Sequence, residues 1–142
     1  MRENSWEECM ENSSAYTVSA DKAKAKSLFN TAVERINFLK ENKLNERNGK
    51  FIFEGYYSSL IEVIHALVLL KRYKVTNHLC LGHYIRDVMK KEDLFRIFDD
   101  CRIKRNDLVY YGKSINLETA KQSILKAEKL IEEISKSVKK EL

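Results

Sequence analysis

The stretch Leu60-Ile61-Glu62-Val63-Ile64-His65-Ala66-Leu67-Val68-Leu69-Leu70 decides the fold, because it is apolar around most of a helix surface. It lies inside a longer helical pattern that runs from about Phe51 to Tyr73. A helix that is apolar on nearly every face belongs in the middle of a bundle rather than at its surface. The apolar run is too short for a membrane span and contains Glu62 and His65, so we expect a core helix and no membrane partner.

Helical patterns continue on both sides of this segment. Apolar residues three and four apart, or a capping residue before them, mark four more helices. These lie at about 21–42 after a cap at Asp21, at about 77–88 after a cap at Thr76 or Asn77, at about 92–112, and from Leu117 onward after a cap at Asn116. In the last of them, apolar residues three and four apart form a seam that can pack on one partner helix. Ser5 with Glu8 is typical of a capping box, which predicts a short helix within 5–16. The sequence therefore predicts about five bundle helices after a first short segment.

Length and composition indicate one all-α domain. The chain has 142 residues, 44% of them hydrophobic, which is enough for one buried core but not for two. It has no proline and four glycines, and no stretch alternates apolar and polar residues as a half-buried strand does. We expect residues 21–142 to form a single helical bundle, with residues 1–20 as an N-terminal segment.

Charge and cysteine content bear on partners and compartment. Lys and Arg number 26 and Asp and Glu 21, so the net charge is +5, which favours anionic partners. The three cysteines are an odd number without metal-ligand spacing, and Cys101 lies on an apolar stripe as a small hydrophobic residue would. The first residues lack an apolar signal core. The simplest setting is a reducing cytoplasm.

A functional site is indicated at 102–112, where polar residues interrupt an apolar helical stripe. Counting about 100° per residue from Leu94, the residues Phe98, Cys101 and Leu108 fall on one side of the helix, and Arg105 lies among them. A guanidinium cannot be buried there unpaired. It must reach a carboxylate, line a wet cleft, or lie where a second subunit or an anionic ligand meets the helix.

The pattern Arg105-Asn106, a short apolar step and then Tyr110-Tyr111-Gly112, late in an all-helical chain, resembles the signature of the HEPN superfamily. Ribonuclease members of that superfamily carry Arg-Asn, a few residues, and then His. Residues 56–73 and the Asn77-His78-Leu79 that follows resemble its long central helix, its basic turn and its next helix. The likeness spans roughly residues 20–138.

The resemblance implies a dimer in which two copies place their motif helices side by side and share a cleft. It also implies that Arg105 stabilises a phosphate in metal-independent RNA cleavage and that Asn106 positions that arginine. Tyr110 stands where the ribonucleases have His, and a phenol with a reference pKa of about 10 is a poor general base. We therefore expect a homodimer that binds RNA or nucleotide phosphates and is a weak or inactive ribonuclease. The family context suggests a toxin–antitoxin type pair with a small nucleotidyltransferase as partner.

Two arginines also have structural interpretations. Arg105 could pair with Asp99, Asp100 or Asp107 instead of facing a cleft. Arg102 lies about 60° to one side of Arg105 on an ideal helix, where it could help to form a cationic pocket or be a solvated surface charge.

The residues after Arg105 also allow more than one role. Asn106 could orient Tyr110, contact a phosphate, or hydrogen-bond near the helix end. Tyr110 and Tyr111 could stack on unpaired bases or form a protein interface. Arg105 and Tyr110 are about 140° apart on an ideal helix, so we expect a distorted helix end or a site built across a dimer. The rival to RNA binding is a non-catalytic module that dimerises or docks a partner.

Three histidines complete the candidates. His78 and His83 with Cys80 could be taken for a metal cluster, but five residues of spacing put the two imidazoles far apart around a helix. We expect these residues to be structural, and His65 to be a core histidine of the central helix. The sequence predicts neither a metal site nor a cofactor.

Overall fold

The computed structural model describes residues 2–142, and 72% of the chain is helical against 4% in strands. The elements in chain order are α1 (Trp6–Glu11), β1 (Ala15–Thr17), α2 (Lys22–Lys40), α3 (Gly49–Leu70), β2 (Tyr73–Val75), α4 (His78–His83), a π-helical turn (Tyr84–Val88), α5 (Glu92–Tyr110) and α6 (Leu117–Glu141). The predicted all-α, single-domain bundle is confirmed. Helices α2 to α6 are the five expected bundle helices, and α1 is the short helix expected near the N-terminus.

Helix α3 is the central helix, as its apolar stretch predicts. It packs against both α2 and α6, and Phe53 and Leu60 are completely buried. A Cβ atom at Gly55 would lie 2.8 Å from the Leu39 side chain, so the glycine permits the close approach of α2 and α3. By length and composition α3 could cross a membrane, but 67% of its most apolar window is buried inside the bundle.

The predicted helix caps and the seam of α6 are confirmed. The α6 seam consists of buried residues three and four apart, namely Ala120, Ile124, Ala127, Ile131, Ile134 and Val138. Three side-chain oxygens accept hydrogen bonds from backbone N–H groups of the first helical turn: Asp21 from Lys24 (3.0 Å), Asn77 from Cys80 (2.8 Å) and Asn116 from Thr119 (2.8 Å). Each of these caps satisfies an N–H group that the helix itself cannot pair.

The N-terminal segment packs on the bundle around α4 and the π-helical turn. Ser5 Oγ accepts a hydrogen bond from the Glu8 N–H at 3.1 Å, which is the expected start of α1. The Trp6 ring meets Tyr73 and Tyr84 edge-on, with centroids 5.3 and 5.2 Å away. A six-residue helix is marginal alone, so these aromatic contacts stabilise α1.

A two-stranded antiparallel sheet corrects the expectation that strands are absent. β1 pairs with β2 in a register that sets Ala15 opposite Val75 and Thr17 opposite Tyr73. Each strand has three residues, which is too short for the alternation that reveals a strand in sequence. The sheet ties the first twenty residues to the segment that leads into α4.

A disulfide between Cys9 and Cys80 joins α1 to α4. The odd cysteine count did not indicate this pair, because spacing along the chain says nothing about which thiols meet. Cys101 is the remaining, free cysteine and is buried in α5 as expected. Burial raises the pKa of its thiol to about 12, so it stays protonated and unreactive at neutral pH.

Helix α4 lies close against α5. A Cβ atom at Gly82 would stand 2.9 Å from ring carbons of Phe98, which is completely buried. Only glycine allows this distance without moving the ring. The contact brings the first turn of α4, which begins at His78, beside the second half of α5.

Candidate functional site

Helix α5 carries the predicted motif and ends before Gly112, as expected. Gly112 has a positive φ of 62°, the conformation that glycine commonly adopts just after a helix, and the Lys113 N–H donates to the Asp107 carbonyl at 3.0 Å. The helix is regular through Tyr110. The backbone leaves helical geometry after Tyr110, at Tyr111 and Gly112.

Arg105 and Tyr110 nevertheless meet, which corrects the expectation that one helix cannot bring them together. The Arg105 Nη1 donates to the Tyr110 hydroxyl at 3.3 Å. The guanidinium carbon lies 5.5 Å from the centre of the Tyr110 ring and 5.6 Å from that of the Tyr57 ring on α3. The two side chains are long enough to meet although they leave the helix in directions about 140° apart. The aromatic rings of Tyr57 on α3 and Tyr110 on α5 stabilise the cation.

Arg105 has no carboxylate partner among residues 2–142. The three acids that the sequence offered bind other cations: Asp99 binds Arg102 (2.8 Å), Asp100 binds Lys126 (3.3 Å) and Asp107 binds Lys113 (3.6 Å). Within the same described residues the Nε of Arg105 is buried without a hydrogen-bond partner. The ion-pair interpretation of Arg105 is thus wrong for this structure, which leaves a wet cleft or a contact with a second subunit or an anionic ligand.

Arg102 is not the solvated charge that the sequence allowed. Its side chain is 12% exposed, and its Nε and Nη2 both donate to one Asp99 oxygen, at 3.0 and 2.8 Å. The aspartate offsets part of the charge of Arg102. Arg105 is therefore the stronger of the two cations toward an incoming anion.

A pocket of about 310 Å³ lies between the first turn of α4 and the last turns of α5. Its lining residues are Asn77, His78, Leu79, Arg102, Arg105, Asn106 and Tyr110. No carboxylate is among them. The predicted site residues Arg102, Arg105, Asn106 and Tyr110 thus share one pocket, and its other wall comes from α4.

His78 is the pocket residue whose role the sequence interpretation missed. Its Nδ1 lies 3.0 Å from the hydroxyl of Tyr57, a side chain that is 1% exposed. Burial, and next the positive charge of Arg105, lower the pKa of His78 to about 4, so the imidazole is neutral at pH 7. The Asn77 cap predicts that His78 begins a helix, but no local signal indicates that this helix faces Arg105.

Asn106 and Tyr111 occupy different positions. Asn106 lines the pocket, but the hydroxyl of Tyr110 pairs with Arg105 rather than with Asn106, so the phenol is oriented by the arginine. Tyr111 is 67% exposed and lies outside the pocket lining.

The structure places His78, His83 and Cys80 in three different environments. His78 lines the pocket, while the Nε2 of His83 lies 2.9 Å from the Glu3 carbonyl oxygen and Cys80 is in the disulfide. Within residues 2–142, the group of potential ligands that come close together is Glu3 with Cys9 and Cys80, whose sulfur atoms are bonded to each other.

No family model, curated protein or solved structure matches this chain. The function is therefore inferred from the chemistry of the pocket and from the motif that α5 carries.

Proposed function

We propose that this chain is a HEPN-like homodimeric domain whose Arg105 pocket binds the phosphates of RNA or of nucleotides. The observation that carries the proposal is a guanidinium without a carboxylate partner among residues 2–142, in a pocket whose lining holds no carboxylate. A partly buried cation without a counter-ion is costly, and an anionic ligand offsets that cost. The net charge of +5 favours the same class of ligand.

The lining residues divide the work of binding such a ligand. Arg105 contacts the phosphate oxygens, and the Asn106 amide, next to it in the lining, adds a neutral donor. The Tyr110 ring is 66% exposed and lies against the guanidinium, so a base leaving the pocket can stack on it. Tyr111 is also exposed, so it is available to stack on a further base.

Single-stranded RNA should bind with an affinity that falls as salt rises, because each neutralised phosphate releases counterions. Arg105→Ala should raise the Kd about tenfold or more at constant salt, because hydrogen bonds to a charged group contribute about 1.5–3 kcal/mol. It should also reduce the slope of log K against log salt by about 0.7, the value of one contact with a single strand. Fluorescence anisotropy across a salt series measures both quantities.

Arg96→Ala is the matched control for this experiment. Arg96 lies on the same helix, is 76% exposed, and has only a loose contact of 3.8 Å with Glu92. Its loss should leave RNA affinity nearly unchanged. Equal RNA affinities of the Arg96→Ala and Arg105→Ala variants would place the RNA site elsewhere. If Arg105→Ala binds RNA as tightly as the wild type while folded but is much less stable, the role of Arg105 is structural.

The predicted dimer interface is supported by apolar surface on the motif segment. Ile103 is 46% exposed, Val109 41%, and Tyr110 and Tyr111 about two-thirds. Ile103 and Tyr110 are seven residues apart and share one face of α5, while Val109 lies about 120° to one side of that face. Apolar and aromatic side chains on one such face are the composition of a protein interface core.

Sedimentation at micromolar concentration should give about twice the chain mass of 16.7 kDa. Ile103→Glu should give the monomer mass, because it would bury an unpaired charge at the symmetric contact. Phe38→Glu, at an apolar residue of α2 that is 63% exposed, should remain dimeric. A wild-type monomer at this concentration would rule out a cleft shared by two copies.

The same exposed face favours a second candidate function, a non-catalytic module that dimerises or docks a partner. In this interpretation the partner is a small nucleotidyltransferase, as in toxin–antitoxin type pairs. A gene for such an enzyme beside this one would support the pair. RNA affinity that is insensitive to Arg105, together with an intact dimer, would favour this module over the RNA-binding domain.

A further inference from the structure

The hydrogen bond between Tyr57 and His78 determines which ring nitrogen of His78 carries its proton. The Tyr57 hydroxyl is buried, and among residues 2–142 its hydrogen-bond partner is the His78 Nδ1 at 3.0 Å. A buried hydroxyl left without an acceptor costs about 1–3 kcal/mol, so the phenol donates and Nδ1 accepts. Burial also raises the pKa of Tyr57, which keeps this proton on the phenol. In a neutral imidazole whose Nδ1 accepts, Nε2 carries the hydrogen and is a donor.

The charges around His78 keep the imidazole neutral. Arg105 and Arg102 of α5, and His65 of α3, act on it in the same direction as burial, and together these effects lower its pKa to about 4. Asp99, which is three residues before Arg102 on α5, is bound by that arginine. His78 therefore contributes a fixed N–H donor rather than a titrating charge between about pH 5 and pH 8.

We propose that the pocket takes a phosphate monoester, the chemistry of an RNA 5′ end, and that the Nε2–H of His78 donates to it beside Arg105. This inference rests on the proposed function and narrows its ligand. A monoester carries a second negative charge and a third terminal oxygen, which suit a wall of donors without a carboxylate. A volume of about 310 Å³ is at the small end of ligand pockets, which fits a strand end rather than a longer stretch of backbone.

The first test compares single strands of one sequence with a 5′-phosphate and with a 5′-hydroxyl. At pH 7.5 the phosphorylated strand should bind about tenfold more tightly, the value of one additional charge-assisted hydrogen bond. The preference should grow from pH 5 to pH 7, because the phosphate loses its second proton at about pH 6 while His78 stays neutral. A cationic histidine would give the opposite profile, with binding lost as the pH rises through about 6.5.

Variants of His78 and Tyr57 distinguish hydrogen-bond donation by the imidazole from a role of His78 in packing alone. His78→Gln keeps an N–H donor at the end of the side chain and should retain part of the preference, whereas His78→Ala should lose it. Tyr57→Phe should reduce the preference for the 5′-phosphate and allow the His78 proton to occupy either ring nitrogen. ¹⁵N NMR of the imidazole reports that distribution directly. Tyr56→Phe is the matched control, since Tyr56 is an adjacent buried tyrosine that faces the groove between α2 and α6. Thermal unfolding of each variant shows whether the fold survives.

Competitors identify the source of the monoester. Displacement of the phosphorylated strand by a nucleoside 5′-monophosphate but not by inorganic phosphate supports a strand end stacked on Tyr110, and displacement by both supports recognition of the phosphate alone. Equal, Arg105-dependent binding of the two strands would overturn the monoester inference and leave the proposed function intact. Binding of neither strand would overturn both. A proton found on Nδ1 would overturn the role of Tyr57.

Discussion

Reduction of the Cys9–Cys80 disulfide should lower the free energy of unfolding by about 4 kcal/mol, because the bond closes a loop across a sequence separation of 71 residues. The oxidised unfolded chain has fewer conformations to gain, so its unfolding is less favourable. Domains of this size are stable by only about 5–15 kcal/mol, so the expected loss is a large share of the total. Chemical unfolding with and without a dithiol reductant measures it.

The Cys9→Ser/Cys80→Ser double variant is the control for this prediction. It should unfold at the denaturant midpoint of the reduced wild type, and the reductant should not shift it further. Cys101→Ala should keep the full response to the reductant, since Cys101 takes no part in the bond. An unchanged midpoint after mass analysis has confirmed reduction would contradict the prediction.

The same bond bears on the compartment. Structural disulfides persist where the environment is oxidising and are rare in a reducing cytoplasm, which is the setting that the sequence predicts. Alkylation of free thiols in rapidly quenched cells tests the compartment. The cells are denatured before alkylation, because both sulfur atoms are buried in the folded protein. Three alkylated cysteines per chain would support the cytoplasmic prediction, and one would support an oxidising compartment.

The helices could be predicted because their signals are local. The caps at Asp21, Asn77 and Asn116 and the apolar run of α3 each act within a few residues of the chain. The β1–β2 pair and the Cys9–Cys80 bond could not, because each joins residues about sixty or seventy positions apart. The sequence of one strand, or around one cysteine, does not indicate which distant segment it will meet.

The candidate site was predictable to the extent that it lies on one helix. Arg105 and Asn106 share the last turns of α5 with Tyr110, and all three line the pocket. His78 was missed because its position depends on α4 packing against α5, which Gly82 permits. The expected separation of Arg105 from Tyr110 was wrong because it counted Cα directions, whereas the long side chains determine the contact.

The purified protein should cleave RNA at background rates in the presence of a chelator. Tyr110 holds the place that the HEPN resemblance gives to a catalytic His, and its hydroxyl accepts a hydrogen bond from Arg105. His78 is no substitute base, because its Nδ1 accepts from Tyr57 and its pKa is lowered to about 4. A positioned general base contributes about 10²–10⁴-fold to such reactions, so its absence should dominate the rate.

Tyr110→His tests whether the missing base is the cause. The substitution places an imidazole beside Arg105 at an exposed position, where it should fold without strain. We expect metal-independent cleavage to rise at least tenfold above background, and Tyr110→His/Arg105→Ala to lose that gain because no cation then stabilises the phosphate. Robust cleavage by the wild type that Arg105→Ala abolishes would instead show that the Tyr110 phenol, or another group of the pocket, performs the proton transfer.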